Sequence, residues 1–190
     1  MAKHYIGEAY FLRAYEYFVH LRTLGDFPII KTVLPDNKAA LVEASKRMPR
    51  NEVARFILED LDKAISMCSN TPTGGTNRIT KDLAYLFKSR VALFEGTWLK
   101  YHKGTALVPN GTGWPGTTKD YNANYQYPTG SIDNEINYFL DQSMAAAKVV
   151  ADAHALVTNS KVIRQASSDP SNPYFEMFAS ESLTNNTEVL

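Results

Sequence analysis

The stretch from Glu8 to Ile30, which reads EAYFLRAYEYFVHLRTLGDFPII, limits what this chain can fold into more than any other. It is a dense helical signal whose apolar residues do not keep to one side. Phe11, Tyr15 and Phe18 share one face at i, i+4, i+7 spacing. Tyr10, Tyr17, Leu21 and Leu24 lie on a second face, and Ala9, Leu12 and Val19 on a third. A helix that is apolar most of the way round is buried by neighbours on several sides, not laid on a surface. Gly25 can adopt the left-handed conformation that ends a helix, and Pro28 cannot continue one. The expected core element is a sandwiched helix with a tight exit at Gly25-Asp26-Phe27-Pro28.

The rest of the chain supports an all-helical plan. At 190 residues, 44% hydrophobic, it is long enough for one domain with a real core. The first helix spans about 2–24, and Asp26 to Met48 reads as a connector. A second helix over about 51–68 has Asn51 as its N-cap. Ala54, Ile57, Leu58, Leu61, Ala64, Ile65 and Cys68 form its apolar stripe, and Glu52, Arg55, Glu59, Asp62 and Lys63 its wet face, with Glu59 and Lys63 paired at i, i+4. Thr80 caps a third helix over 80–103, with Leu83, Phe87, Val91, Phe94 and Trp98 on one side. Gly104 to Gly130 is a long loop, and a fourth helix covers 131–157. A polar tail follows over 158–190, in which Tyr174 to Phe178 has the pattern of a short helix. Ala9–Ala14 aligns with Ala84–Ser89, and Glu52 to Ala64 with Glu135 to Ala147, so the plan is helix A, helix B, then both again. Such units bury themselves on their neighbours. They are TPR-like, though longer than the usual repeat of about 34 residues.

Charge and cysteine content exclude several functions. Formal net charge is zero, which argues against nucleic acid as a partner, since that needs a basic face. Cys68 is the only cysteine, so no intrachain disulfide or thiolate metal cluster forms. No apolar run reaches the roughly 18 residues of a membrane span. Met1-Ala2-Lys3 opens into the first helix with no signal peptide. That reads as cytoplasmic, or equally as a piece of a longer secreted chain.

Catalytic signals are weak. His4, His20, His102 and His154 form no H-E-x-x-H or other ligand spacing. Glu59, Asp60 and Asp62 read as solvated helix charge. Thr73-Gly74-Gly75-Thr76 lacks the Lys-Ser/Thr of a phosphate loop and reads as a turn. Cys68 reads as a buried thiol. The loop 104–130 is different, for it sets Trp114, Tyr121, Tyr125 and Tyr127 among Asn110, Asp120, Asn122, Asn124 and Gln126. Aromatic faces stack on sugar rings, and amides bind hydroxyls. The same residues also anchor a long loop onto its own domain. Both readings stay open. Trp114, Tyr121, Asn122 and Tyr125 are the candidate glycan contacts.

One resemblance is specific. The pattern E-A-x-F-L-R-A-x-x-Y-F-x-x-x-R-x-x-G-D-x-P is carried here by Glu8, Ala9, Phe11, Leu12, Arg13, Ala14, Tyr17, Phe18, Arg22, Gly25, Asp26 and Pro28. It resembles the signature helix of the SusD/RagB family, the surface glycan-binding lipoproteins of Bacteroidetes nutrient-uptake systems. Glu52-Val53 to Leu61, Arg78 to Leu93, and Tyr174 to Phe178 with Asn185 to Leu190 are similar to later family patterns, in the family's order. The resemblance implies an all-α fold, with antiparallel TPR-like helix pairs forming an α-α superhelix over 1–190 as part of a larger SusD-like body. It implies glycan capture at the outer membrane and delivery of oligosaccharide to a SusC-like TonB-dependent transporter, with no reaction and no cofactor or metal. Family members carry a lipoprotein signal with an acylated cysteine, and they continue further. This segment is therefore expected to come from the middle of a longer chain, with its membrane link a lipid anchor outside it. The rival reading is a free-standing TPR-like adaptor holding a peptide or partner helix.

Overall fold

The computed structural model describes residues 2–72, 77–159, 172–181 and 183. The chain divides into two compact units, Met1–Ala147 and Lys148–Leu190. Its helices are α1 (Ala2–Leu24), α2 (Lys38–Ala44), α3 (Arg50–Met67), α4 (Lys81–Tyr101), α5 (Ile132–Ala153) and α6 (Pro173–Ala179), with a 3-10 turn at Pro115–Thr118. Among the described residues there is no strand; an isolated antiparallel bridge joins Phe27 to Met48. The all-helical expectation holds. No described helix is long and apolar enough to cross a membrane. The Thr73–Thr76 turn and the Asn185–Leu190 motif lie outside the described residues.

In the first unit α1 packs along α3, and α3 along α4. The stripe expected on α3 is buried throughout, Cys68 included. Phe11, Ala14, Phe18 and Leu21 supply the α1 side of the core. Phe18 lies edge-on to both Phe87 and Phe94 of α4. Each such large side chain, when fully buried, contributes about 1.5–3 kcal/mol. Thr80 caps α4 as expected, its hydroxyl accepting from the Leu83 N–H at 3.1 Å.

Several expectations fail in informative ways. The first helix is not buried all round: Leu12 and Tyr15 are about half exposed, because the described neighbours α3 and α4 cover only one side of it. The connector contains α2, started by Asn37, whose side chain accepts from the Ala39 and Ala40 N–H groups. Asn51 does not cap α3. It lies inside the first turn, fully buried, and donates to Glu135. The fourth long helix ends at Ala153, short of 157. Glu59 and Lys63 do not pair with each other; Glu59 meets Lys31, and Lys63 meets Asp60.

The largest departure concerns charge. Asp60 is not on the wet face but fully buried, gripped two-pronged by Arg13 at 2.6 and 2.8 Å. Arg50 of α3 and Glu95 of α4 form a second, wholly buried pair at 2.8–3.2 Å. Arg55, also assigned to the wet face, pairs with buried Glu135 of α5 at 2.7 and 2.9 Å. Forked geometry of this kind suits arginine and no other side chain.

Removing one member of a buried pair strands the other without solvent. Glu95→Ala is expected to destabilise the fold by about 3–5 kcal/mol, and Arg50→Met with Glu95→Leu to recover most of that loss. Urea denaturation of the three proteins checks this. A Glu95→Ala loss no larger than that of the double variant would refute it.

Candidate functional site

The site begins where α1 stops. Gly25 has φ +69°, a left-handed conformation in which an L side chain is strained, and its N–H closes on the Leu21 carbonyl at 3.1 Å. This reversal delivers Asp26 to the start of α3. The N-cap position there is Pro49, which has no side-chain donor or acceptor to offer. Asp26 takes over the role from outside: its Oδ1 accepts from the Arg50 N–H at 2.9 Å. A carboxylate at a helix N-terminus satisfies an orphan donor and complements the helix dipole. Its Oδ2 accepts from the Trp114 indole N–H at 2.8 Å. Burial pushes the Asp26 carboxyl up, against the lowering effect of these two bonds and of the Arg50 and Arg47 charges.

Trp114 is thus pinned to the end of α1, and only 2% of it is exposed. Gly116 lies against its ring so closely that a Cβ there would come within 2.1 Å of an indole carbon. The rest of the loop is stitched in the same manner. The Asn122 amide donates to the Arg47 carbonyl, and the Asn110 amide to the Tyr125 carbonyl, both at 3.0 Å. Tyr127 donates to the Pro109 carbonyl at 2.6 Å. The Tyr125 hydroxyl accepts from Asn51 at 2.6 Å and donates to Glu52 at 3.0 Å. Burial raises the pKa of Tyr125 and of Tyr127, so both phenols stay protonated as donors.

Beside these anchors lies an open cleft of about 550 Å³. It is formed by the end of α1, the approach to α3, the end of α4 and the loop. Of the four candidate contacts, Trp114, Tyr121 and Asn122 line this cleft, and Tyr125 does not. Trp114 and Asn122 are buried and engaged in holding the loop, whereas Tyr121 is 37% exposed. The other lining groups include Arg22, Arg47, Arg50, Lys119 and Trp98. Trp98 donates to the Leu107 carbonyl at 3.1 Å, and the Arg50 guanidinium sits 4.2 Å from its ring centre. Sequence reasoning missed Arg47 and Lys119, which stand in no motif. Arg22 and Asp26 carried a signal through their place in R-x-x-G-D. Among the described residues no three His, Cys, Asp or Glu side chains converge as a metal ion would need.

Loss of the indole N–H leaves a half-buried carboxylate oxygen without its donor. Trp114→Phe is expected to cost about 1–3 kcal/mol, read as a lowered Tm; an unchanged Tm would show that the bond to Asp26 does not hold the loop. Glu135 provides a pH test. Burial acts to raise its pKa, but hydrogen bonds from Arg55, Asn51 and Thr129 outweigh it and hold the carboxyl below its usual range. A depressed acid stabilises the folded state above its unfolded pKa, and the benefit is lost as pH falls through the lower folded pKa. Acid titration of stability should therefore show a loss below about pH 4.5 that is absent from Glu135→Gln, and superimposable profiles would count against it.

Comparison with known proteins adds one clear relationship. Residues 1–93 match a SusD-like family model described as starch-binding and associating with the outer membrane. Among solved structures, a SusD-like protein from Bacteroides fragilis is 35% identical, covering 50% of this chain and 19% of its own, with a TM-score of 0.42. The match thus spans less than a fifth of that protein's length. No curated protein matches the chain.

Proposed function

We propose that the chain is part of a glycan-binding component of an outer-membrane nutrient-uptake system, a reading supported by the match of residues 1–93 to a SusD-like family model. In this reading it binds oligosaccharide without cleaving it and passes it to a SusC-like TonB-dependent transporter. It acts at the cell surface, held to the membrane by a lipid anchor. The helix pairs α1–α3 and α4–α5 are read as TPR-like repeats within a larger body. The observation that carries the proposal is the family match, which contains the whole signature helix from Glu8 to Pro28.

The cleft supports this reading. Its volume falls within the range of about 300–1,000 Å³ common to small-ligand sites. Tyr121 offers an exposed ring, with the Lys46 ammonium 5.4 Å from its centre. Trp114 and Asn122 form the fixed floor on which that ring is presented, and Tyr125 acts behind the floor through Asn51 and Glu52. Binding without hydrolysis fits the pinned carboxylate. Both oxygens of Asp26 are engaged by structural donors, the Arg50 N–H and the Trp114 indole N–H.

The test is calorimetric titration of the full-length protein with a panel of neutral and acidic oligosaccharides. Saturable binding without release of smaller sugars is expected, and Tyr121→Ala should weaken it roughly tenfold, about 1.4 kcal/mol. Failure of every glycan to bind would overturn the proposal.

A further inference from the structure

The cleft at the end of α1 has an excess of positive charge that the chain as a whole lacks. The whole sequence carries 20 basic and 20 acidic residues. The cleft is lined by Arg22, Arg47, Arg50 and Lys119 against a single carboxylate, Asp26. Arg50 is already matched by Glu95, and both Asp26 oxygens are taken by the Trp114 and Arg50 N–H groups. Arg22, Arg47 and Lys119 remain. All three are exposed, and among the described residues none is paired with a carboxylate. The Arg22 guanidinium lies 5.5 Å from the centre of the Phe18 ring, a contact that orients the fork without supplying a counter-charge.

The aromatic lining points the same way. A neutral sugar is held largely by stacking on open aromatic faces. Here Trp114 is closed in by its own loop. Trp98 carries the Arg50 guanidinium at 4.2 Å and the His102 ring at 4.3 Å. Among the aromatic residues of the lining, that leaves Tyr121 as the exposed one. The cleft has more to offer a negative charge than a bare sugar face.

We propose that this cleft binds an anionic sugar, with Arg22, Arg47 and Lys119 taking its carboxylate or sulfate groups and Tyr121 lying against its ring. This rests on the glycan reading above and narrows the ligand class. The two arginines offer planar forks that match carboxylate and sulfate oxygens two at a time, and Lys119 adds a compact point charge. The charges are exposed, so the interaction is screened by salt.

The experiment titrates the full-length protein with four probes: maltoheptaose, an oligogalacturonate, a heparin-derived oligosaccharide, and poly-glutamate. The oligogalacturonate and heparin arms separate carboxylate from sulfate recognition. At least one of these two acidic sugars should bind at least tenfold more tightly than maltoheptaose, and lose at least tenfold on raising NaCl from about 0.05 to 0.5 M. Arg22→Gln, Arg47→Gln and Lys119→Gln should each weaken that binding roughly tenfold, as expected for a lost hydrogen bond to a charged group. All three should keep the parent Tm. Lys81→Gln, at the far end of α4 and roughly 25 Å from Trp98 by helical rise, is the control and should bind as the parent does.

Maltoheptaose binding as tightly as the acidic sugars, or alone, would overturn this inference and leave the glycan reading standing. Binding to no sugar would overturn both. Poly-glutamate matching the acidic sugars would also overturn it, since the cleft would then be a dock for acidic protein. So would acidic-sugar binding that the three glutamine variants leave intact.

Discussion

Much of the first unit depends on one carboxylate having two hydrogen-bond partners. Asp26 follows a helix that can stop only because Gly25 takes a positive φ. From there it caps α3 in place of Pro49 and holds Trp114. Three segments far apart in sequence meet at two oxygens. The chain between them is closed by the Phe27–Met48 bridge, with N–H to carbonyl distances of 3.1 Å in both directions. A two-residue bridge is a weak element alone. Here it brings Arg50 to Asp26 and so lets the capping bond form.

The buried ion pairs extend this logic. Arg13–Asp60 links α1 to α3, Arg50–Glu95 links α3 to α4, and Arg55–Glu135 links α3 to α5. Each contributes little net stability, because desolvation offsets most of the attraction. Their effect is on register. Sliding a helix by one turn would leave a charge buried without its partner, an error far costlier than a misplaced leucine. The Arg50 pair also joins the core to the cleft, since the same guanidinium that meets Glu95 lies on Trp98.

Helix positions were legible because they rest on local signals. Gly25 stops α1, Thr80 caps α4, and the α3 stripe repeats at helical spacing. The ion pairs were not legible. Asp60 looks like any charge on an amphipathic helix, and its burial follows from Arg13 on another helix, 47 residues away. Asn51 hides its role for the same reason: it has the chemistry of a cap, but Glu135 and Tyr125 claim its side chain. At the candidate site the aromatics were visible in the sequence and their duties were not. Trp114 and Tyr121 look alike in a loop, and only the partner Asp26 tells the anchor from the exposed ring. Arg47 and Lys119 are 72 residues apart and form no pattern until the loop folds back.

The chain has two tryptophans, Trp98 and Trp114, and both line the cleft. One is covered by a guanidinium beside a histidine ring, and the other donates its N–H to a half-buried carboxylate. Intrinsic indole fluorescence, which in most proteins averages over scattered environments, is therefore confined here to a single place. The emission of this segment is a built-in optical reporter of the cleft, and needs no attached dye.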